Sequence, residues 1–134
     1  MGLGRVLVGG AGRGRPLVLD SPISPLGDID PERGTLRGTG EELRGRLLMF
    51  PYAVGSSVGS YVLYSIASRG LAPAAVLVRR ADPMLVSGCA LGGIPLAELG
   101  DAYDGAKSVL SGCGLARFSA SVGGGLELAC EGSS

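Results

Sequence analysis

Gly55-Ser56-Ser57 is the cluster best placed to do chemistry in this sequence. It sits between an apolar, strand-like run, Leu47 to Phe50, and a helix-like run from Val58 to about Arg69. A strand that ends in Gly-Ser-Ser as a helix begins puts small hydroxyls among backbone N–H groups that have no partner within the helix. Those N–H groups and the helix dipole favour negative charge at that point. The chain has no histidine and a single lysine, Lys107. A nucleophilic serine needs a partner base, and Lys107 shows no Ser-x-x-Lys spacing, so serine-hydrolase chemistry is excluded. No Gly-Lys-Ser/Thr occurs, which argues against nucleotide hydrolysis. A serine without histidine can still act as a base through its alkoxide, if N–H donors and nearby positive charge lower its pKa. That charge has to come from elsewhere, such as a second polypeptide. The competing reading is structural, with Ser56 serving only as the helix N-cap.

The elements that must hold these serines form a βαβ unit. Arg46–Phe50 reads as a strand, Ser57–Arg69 as a helix with Gly70 at its C-terminal cap, and Pro73–Val78 as a buried parallel strand. Val58, Tyr61, Val62, Ser65 and Ile66 share a face at 3/4 spacing, predicted to pack on the sheet. Ligands of such units collect at the carboxyl ends of the strands, where Gly55 and Ser56 lie. Elsewhere, Arg5–Val8 and Pro16–Leu19 read as strands joined by a wide hairpin through Gly9–Gly14. That glycine cluster is not a phosphate loop, because Pro16 follows it where a helix would have to start. Residues 20–42 form a long proline-stiffened segment, of the kind more often functional than accidental. Asp82-Pro83 caps a short helix from Met84 to about Ala90, ended by Gly92-Gly93. Ile94–Leu96 reads as a short strand, Asp104–Leu110 as one helical or extended turn, and Leu115–Glu131 as a hairpin turning at Gly123–Gly125.

Composition bounds the rest. The 134 residues make one domain, residues 1–134, with 46% apolar residues and a mean hydropathy of +0.36. No apolar run is long enough to span a membrane and no charged-apolar-small leader opens the chain, so a cytoplasmic protein is expected. Twelve basic and twelve acidic residues leave no net charge, which argues against a nucleic-acid or acidic-membrane surface. The arginine pairs read as solvated strand ends, or as forks for a small anionic substrate. Twenty-five glycines against a usual level of about 7% signal many tight turns. Cys89, Cys113 and Cys130 form no close pair; they read as buried free thiols, although three thiolates could in principle hold three irons of a [4Fe–4S] cluster.

Gly55-Ser56-Ser57-Val58-Gly59-Ser60-Tyr61, Gly70-Leu71-Ala72-Pro73-Ala74-Ala75 and the upstream Asp30-Pro31-Glu32-Arg33-Gly34 together resemble the small, swivel subunit of the aconitase X family, particularly its archaeal form. The resemblance runs from about Gly4 to Leu128. It implies an α/β fold of the swivelling β/β/α type, a barrel-like mixed sheet with flanking helices. It implies a heterodimeric hydro-lyase whose separate large subunit carries an iron–sulfur cluster, expected to be [4Fe–4S]; this chain's cysteines then bind no iron. The implied reaction dehydrates (R)-5-phosphomevalonate, a small phosphorylated hydroxy acid, to trans-anhydromevalonate 5-phosphate in the archaeal mevalonate pathway to isoprenoids. Carried over by motif, the base that removes the C2 proton is Ser56, and Gly55, Ser57, Ser24 and Asp30 are the substrate-binding candidates. This chain departs from the pattern where relatives often carry Ser-Phe-x-Gly-Gly-Val-Asp-Pro: it has Ser24-Pro25-Leu26-Gly27-Asp28-Ile29-Asp30-Pro31, with an extra carboxylate at Asp28. Arg37-Gly38-Thr39-Gly40 stands where relatives often have a histidine. Two alternatives stay open, a hydroxyproline dehydratase small subunit and a non-catalytic module that holds an anion at the helix N-terminus.

Overall fold

The two apolar runs that frame the serine motif form adjacent parallel strands. In the computed structural model, which describes residues 2–133, Leu47–Phe50 pairs with Ala75–Val78 in register Leu47↔Ala75 to Phe50↔Val78. Every residue of both strands is buried, because alternate side chains enter different cores on the two faces of the sheet. Numbered in chain order, the strands are β1 (Arg5–Val8), β2 (Gly10–Gly14), β3 (Pro16–Val18), β4 (Ile29–Asp30), β5 (Thr35–Leu36), β6 (Leu47–Phe50), β7 (Ala75–Val78), β8 (Leu96–Glu98), β9 (Cys113–Ser121) and β10 (Gly125–Ser133). The helices are α1 (Pro25–Asp28), α2 (Gly59–Ser68), α3 (Pro83–Gly92) and α4 (Tyr103–Ser111), the last preceded by a 3-10 turn at Gly100–Ala102.

The central sheet runs β1-β8-β7-β6-β3, with β3, β6, β7 and β8 parallel and β1 antiparallel. On one face Leu48, Phe50, Val76 and Val78 pack with Leu63 and Ile66 of α2 and Leu85 and Cys89 of α3. On the other, Leu47, Met49, Ala75 and Leu77 pack with Tyr103 and Leu110 of α4 and with Ala116, Phe118 and Leu126 of a second sheet, β10-β9-β2. Among the described residues no helix is long and apolar enough to cross a membrane.

Three expectations change. The Gly9–Gly14 stretch is not a hairpin turn: Gly10–Gly14 is itself strand β2, paired antiparallel with β9. β1 and β3 lie at opposite edges of the central sheet. Glycine serves close approach here, since a Cβ on Gly14 would lie 2.3 Å from the Gly45 carbonyl oxygen. The buried stripe of α2 is also rotated from the predicted one. Val62 and Ile66 are buried, but Gly59, Ser60 and Leu63 join them, while Val58 and Tyr61 are exposed. The reason is α3, which packs beside α2 and so turns the helix's covered side away from the sheet normal. α4 resolves as a full helix of nine residues. The Asp82 cap (Asp82 Oδ1 accepts the Leu85 N–H at 3.0 Å) and the left-handed Gly93 (φ 67°) end α3 as the sequence indicates.

The third correction concerns the cysteines. Cys113 and Cys130 are joined in a disulfide, and only Cys89 is a free, buried thiol. Seventeen residues of separation looked too wide for a pair, yet the β9–β10 hairpin folds that distance back on itself. The ladder is irregular between Cys130 and Ser133, and the two Cα atoms lie 5.9 Å apart. Cross-linking a loop of this length stabilises by about 3 kcal/mol through the unfolded state. The Cys113→Ser/Cys130→Ser variant is therefore expected to melt on the order of 10 °C lower. Calorimetry with and without a dithiol reductant checks this; an unchanged melt in both would sink the claim. The arginines follow the bland reading in part: Arg13 and Arg117 share Glu131 at 2.9 and 3.6 Å, and Arg79 pairs with Asp104 at 2.6 Å.

Candidate active site at the carboxyl edge of the sheet

Because β3, β6, β7 and β8 are parallel, their carboxyl ends gather on one edge, and the serine loop rises there from the end of β6. Two neighbours tie its base. The Pro51 carbonyl accepts the Arg79 and Arg80 N–H groups at 3.0 and 3.3 Å, anchoring the loop to the end of β7. On the other side the segment after β3 runs alongside the loop as a short parallel bridge, Ile23↔Ala53. Ile23 N–H donates to the Tyr52 carbonyl at 3.2 Å and Val54 N–H to the Ile23 carbonyl at 2.9 Å. The long irregular segment is thus a wall of the serine loop.

That bridge delivers Ser24 to Gly55. Ser24 caps α1 by accepting the Gly27 N–H at 3.3 Å, and a Cβ placed on Gly55 would lie 3.5 Å from the Ser24 hydroxyl oxygen. Gly55 has φ +119°, a conformation other residues reach only under strain, so the turn into the helix depends on glycine here. Asp28, the carboxylate that departs from the relatives' pattern, accepts the Ser24 N–H at 2.7 Å. It closes a reciprocal cap with Ser24 and holds the hydroxyl side of this wall in place.

Asp30 is placed differently. Its carboxylate accepts the N–H groups of Glu32 and Arg33 at 3.0 and 3.3 Å, forming its own turn. The Glu32 N–H bond, opposed by some desolvation and helped by Arg33 and Arg37, holds the Asp30 carboxyl below the usual aspartate range. Both bonds fall on Oδ1 and shape the turn at Pro31–Gly34.

Ser56 is not the helix cap. The N-cap position is Val58, with no side-chain capping bond, and the first helical residue is Gly59. Ser56 instead gives its carbonyl to the Gly59 N–H at 3.0 Å, and Ser57 gives its carbonyl to the Ser60 N–H at 3.1 Å. Among the described residues the Ser56 hydroxyl makes no hydrogen bond, and the N–H groups of Ser56, Ser57 and Val58 have no backbone acceptor. No acidic residue stands in the first turn of α2 to neutralise its dipole. Gly55 to Val58 are all exposed. The arrangement offers a free hydroxyl and three N–H groups without a backbone acceptor at the positive end of a helix, open on its outer side.

Around this opening lies a ring of large exposed apolar side chains: Leu26, Tyr52, Val54, Val58, Tyr61 and Tyr64, with Tyr61 68% exposed. No charged residue stands between Arg46 and Arg69. The sequence pattern put Tyr61 against the sheet and did not mark Tyr64 as a surface residue, because an uncharged stretch reads as buried. Nor did it single out Ser60, a polar residue inside the buried stripe of α2.

Cys113 and Cys130 are bonded to each other, and burial pushes the Cys89 thiol up to about 12. Among the described residues no group of three His, Cys, Asp or Glu side chains could hold a metal ion.

The layers define the class: a helical layer, a mixed central sheet and a second sheet, the β/β/α architecture of swivelling domains. The chain belongs to the aconitase X swivel domain family, whose model matches residues 2–113. It is similar to the phosphomevalonate dehydratase small subunit of Aeropyrum pernix, 45% identical over 101 residues that make up 75% of this chain and 70% of that one. The protein of the same description from Pyrococcus horikoshii is 40% identical over 71% of this chain and 72% of its own. Among solved structures, Thermococcus kodakaraensis aconitase X (holo-form) superposes with a TM-score of 0.79 at 31% identity, covering 95% of this chain and 96% of that one. The β9–β10 hairpin beyond residue 113 lies outside the family model.

Proposed function

We propose that this chain is the small subunit of a two-subunit hydro-lyase that dehydrates (R)-5-phosphomevalonate to trans-anhydromevalonate 5-phosphate, in an archaeal mevalonate route to isoprenoids. The single observation that carries the reading is the free Ser56 hydroxyl, released from helix capping and standing beside unpaired N–H groups on an open edge. Its relatives' names supply the substrate class. In this reading the Ser56 alkoxide takes the C2 proton of the substrate, the C2–H electron pair forms the C2=C3 double bond, and the C3–O bond breaks; a solvent proton turns the leaving hydroxide into water, and Ser56 returns its proton to solvent before the next turnover. The N–H groups of Ser56, Ser57 and Val58 and the α2 dipole favour the alkoxide over the neutral hydroxyl. Gly55 lets the chain turn, and Ser24, fixed by Asp28, borders the substrate side. In this reading the iron–sulfur cluster, of the [4Fe–4S] type, is held by the large subunit; the Cys113–Cys130 disulfide and the lack of a three-ligand group among the described residues support that. The exposed, uncharged ring around the serine loop supports a partner that closes the other half of the site, in the cytoplasm.

Co-purification of this chain with the large dehydratase subunit under anaerobic conditions, followed by assay on (R)-5-phosphomevalonate, tests the proposal. Product formation by the pair and by neither chain alone is expected. An assembled, cluster-loaded pair that turns over hydroxyproline instead would correct the substrate. A lone chain that binds inorganic phosphate equally well with Ser56→Ala, and pairs with nothing, would favour the anion-binding module. Cysteine replacement is a further check: with Cys89, Cys113 and Cys130 changed to alanine, the visible absorbance of the purified pair is expected to stay unchanged.

A further inference from the structure

Apart from the Tyr103 phenol, Ser60 is the one polar side chain that is buried among the described residues, at 8% exposure. Alanine is the better helix former and fits the same space, so the hydroxyl asks for an explanation. The space is tight: a Cβ on Gly88 of α3 would come 3.1 Å from the Ser60 Cα. The hydroxyl donates to the Ser57 carbonyl at 2.7 Å, and the Ser60 N–H donates to the same oxygen at 3.1 Å. One carbonyl oxygen therefore holds two donors from a single buried residue. The peptide group is planar and trans, so fixing the Ser57 carbonyl fixes the following N–H, that of Val58, in the opposite direction. That direction is out of the N-terminal end of α2, the end at which Ser56 stands, and the Val58 N–H has no backbone acceptor there.

We propose that Ser60 is a positioning residue of the dehydratase: by pinning the Ser57–Val58 peptide it aims the Val58 N–H at the negative charge that develops on or beside Ser56. The inference rests on the function proposed above. Its physical content is that removing the hydroxyl leaves no buried group unsatisfied, because the Ser57 carbonyl keeps the Ser60 N–H; stability is retained while one restraint on the site is lost.

The test is Ser60→Ala in the assembled two-subunit enzyme, beside Ser56→Ala. For Ser60→Ala the expected result is a kcat about tenfold lower, in the range of orienting groups that do not touch the reactants. KM stays within about twofold and the ascending limb of the pH–rate profile moves up by about one unit, the same tenfold preference for the charged base. The melting temperature of the lone chain stays in place. A wild-type kcat and pH profile for Ser60→Ala overturns the proposal. So does a loss of activity matched by a loss of melting temperature with no shift of the limb, which marks a merely structural serine. If Ser56→Ala also leaves turnover intact, the failure lies with the serine base itself; if Ser56→Ala is inactive and Ser60→Ala normal, it lies with Ser60 alone.

Discussion

Ser56→Ala in the assembled enzyme is expected to lower turnover by two or more decades, in the upper part of the ~10²–10⁴ range for removal of a general base. Folding and assembly should be unaffected. The residue is exposed and its hydroxyl bonds to nothing among the described residues, so deleting it removes no packing and strands no partner. Helix α2 does not need it either, because its first bonds come from the Ser56 and Ser57 carbonyls. Ser57→Ala is the internal comparison: it is equally exposed but carries no assigned proton transfer, so its loss should be modest. Steady-state kinetics with equal cluster content in each variant make the measurement clean. Near-normal turnover in a well-assembled Ser56→Ala complex would remove the base assignment and leave the loop as a binding element.

The asymmetry between these two serines was legible in the sequence only through the motif. Local rules favoured Ser56 as an N-cap, because serine before an apolar helical run has that role more often than any other. The structure places the helix start later, at Gly59, since a turn through Ser57 and Val58 comes first. Where a helix begins is fixed by tertiary packing, here by Gly59 against Met84 and Pro25, where a Cβ would come within 3.1 and 3.5 Å. That information sits twenty-five or more residues away along the chain on either side. The βαβ frame, by contrast, was written locally: continuous apolar runs, a Gly70 stop and the Asp82-Pro83 start each carry their own signal.

Two parts of the site were only partly legible. Ser24 was marked by the motif alone: it lies in an irregular, proline-rich segment with no periodicity, and nothing in its own neighbourhood says that Ile23 beside it bridges to Ala53. Asp28 read as a departure from the relatives' loop, yet it supplies the bond that fixes Ser24. The capping-box acid stands three residues after the serine, where this chain has Gly27; Asp28 does the same work from four residues on, so spacing did not mark it. Nor did spacing mark the disulfide: hairpin register and its irregular end bring Cys113 and Cys130 together, and sequence separation alone points the other way. The β2 strand failed for a third reason, because its glycines answer to contacts across the sheet rather than to turn formation.

Tyr61→Glu is expected to weaken association with the large subunit by about 30-fold or more, the cost of truncating or charging a central aromatic anchor being ~2 kcal/mol or above. Tyr61 is the most exposed member of the ring around the serine loop, on the outer face of α2 opposite Leu63 and Ile66. Its side chain is free in this chain, so a charge there costs nothing in the isolated protein, and the melting temperature should not move. In a closed complex the same charge must be desolvated, and the stretch between Arg46 and Arg69 that carries Tyr61 supplies no counter-charge. Val122, 73% exposed on the β9–β10 turn and outside the ring, gives the matched control: Val122→Glu should assemble like the wild type. Titration calorimetry of each variant against the cluster-loaded large subunit reads the difference directly. Equal affinities for Tyr61→Glu and wild type would mean that the partner approaches from another side. The open edge at Ser56 would then have to be closed by substrate and solvent alone, an environment in which a serine alkoxide has too little stabilisation to serve as a base at neutral pH. Docking geometry and proton chemistry at this edge therefore stand on the same surface.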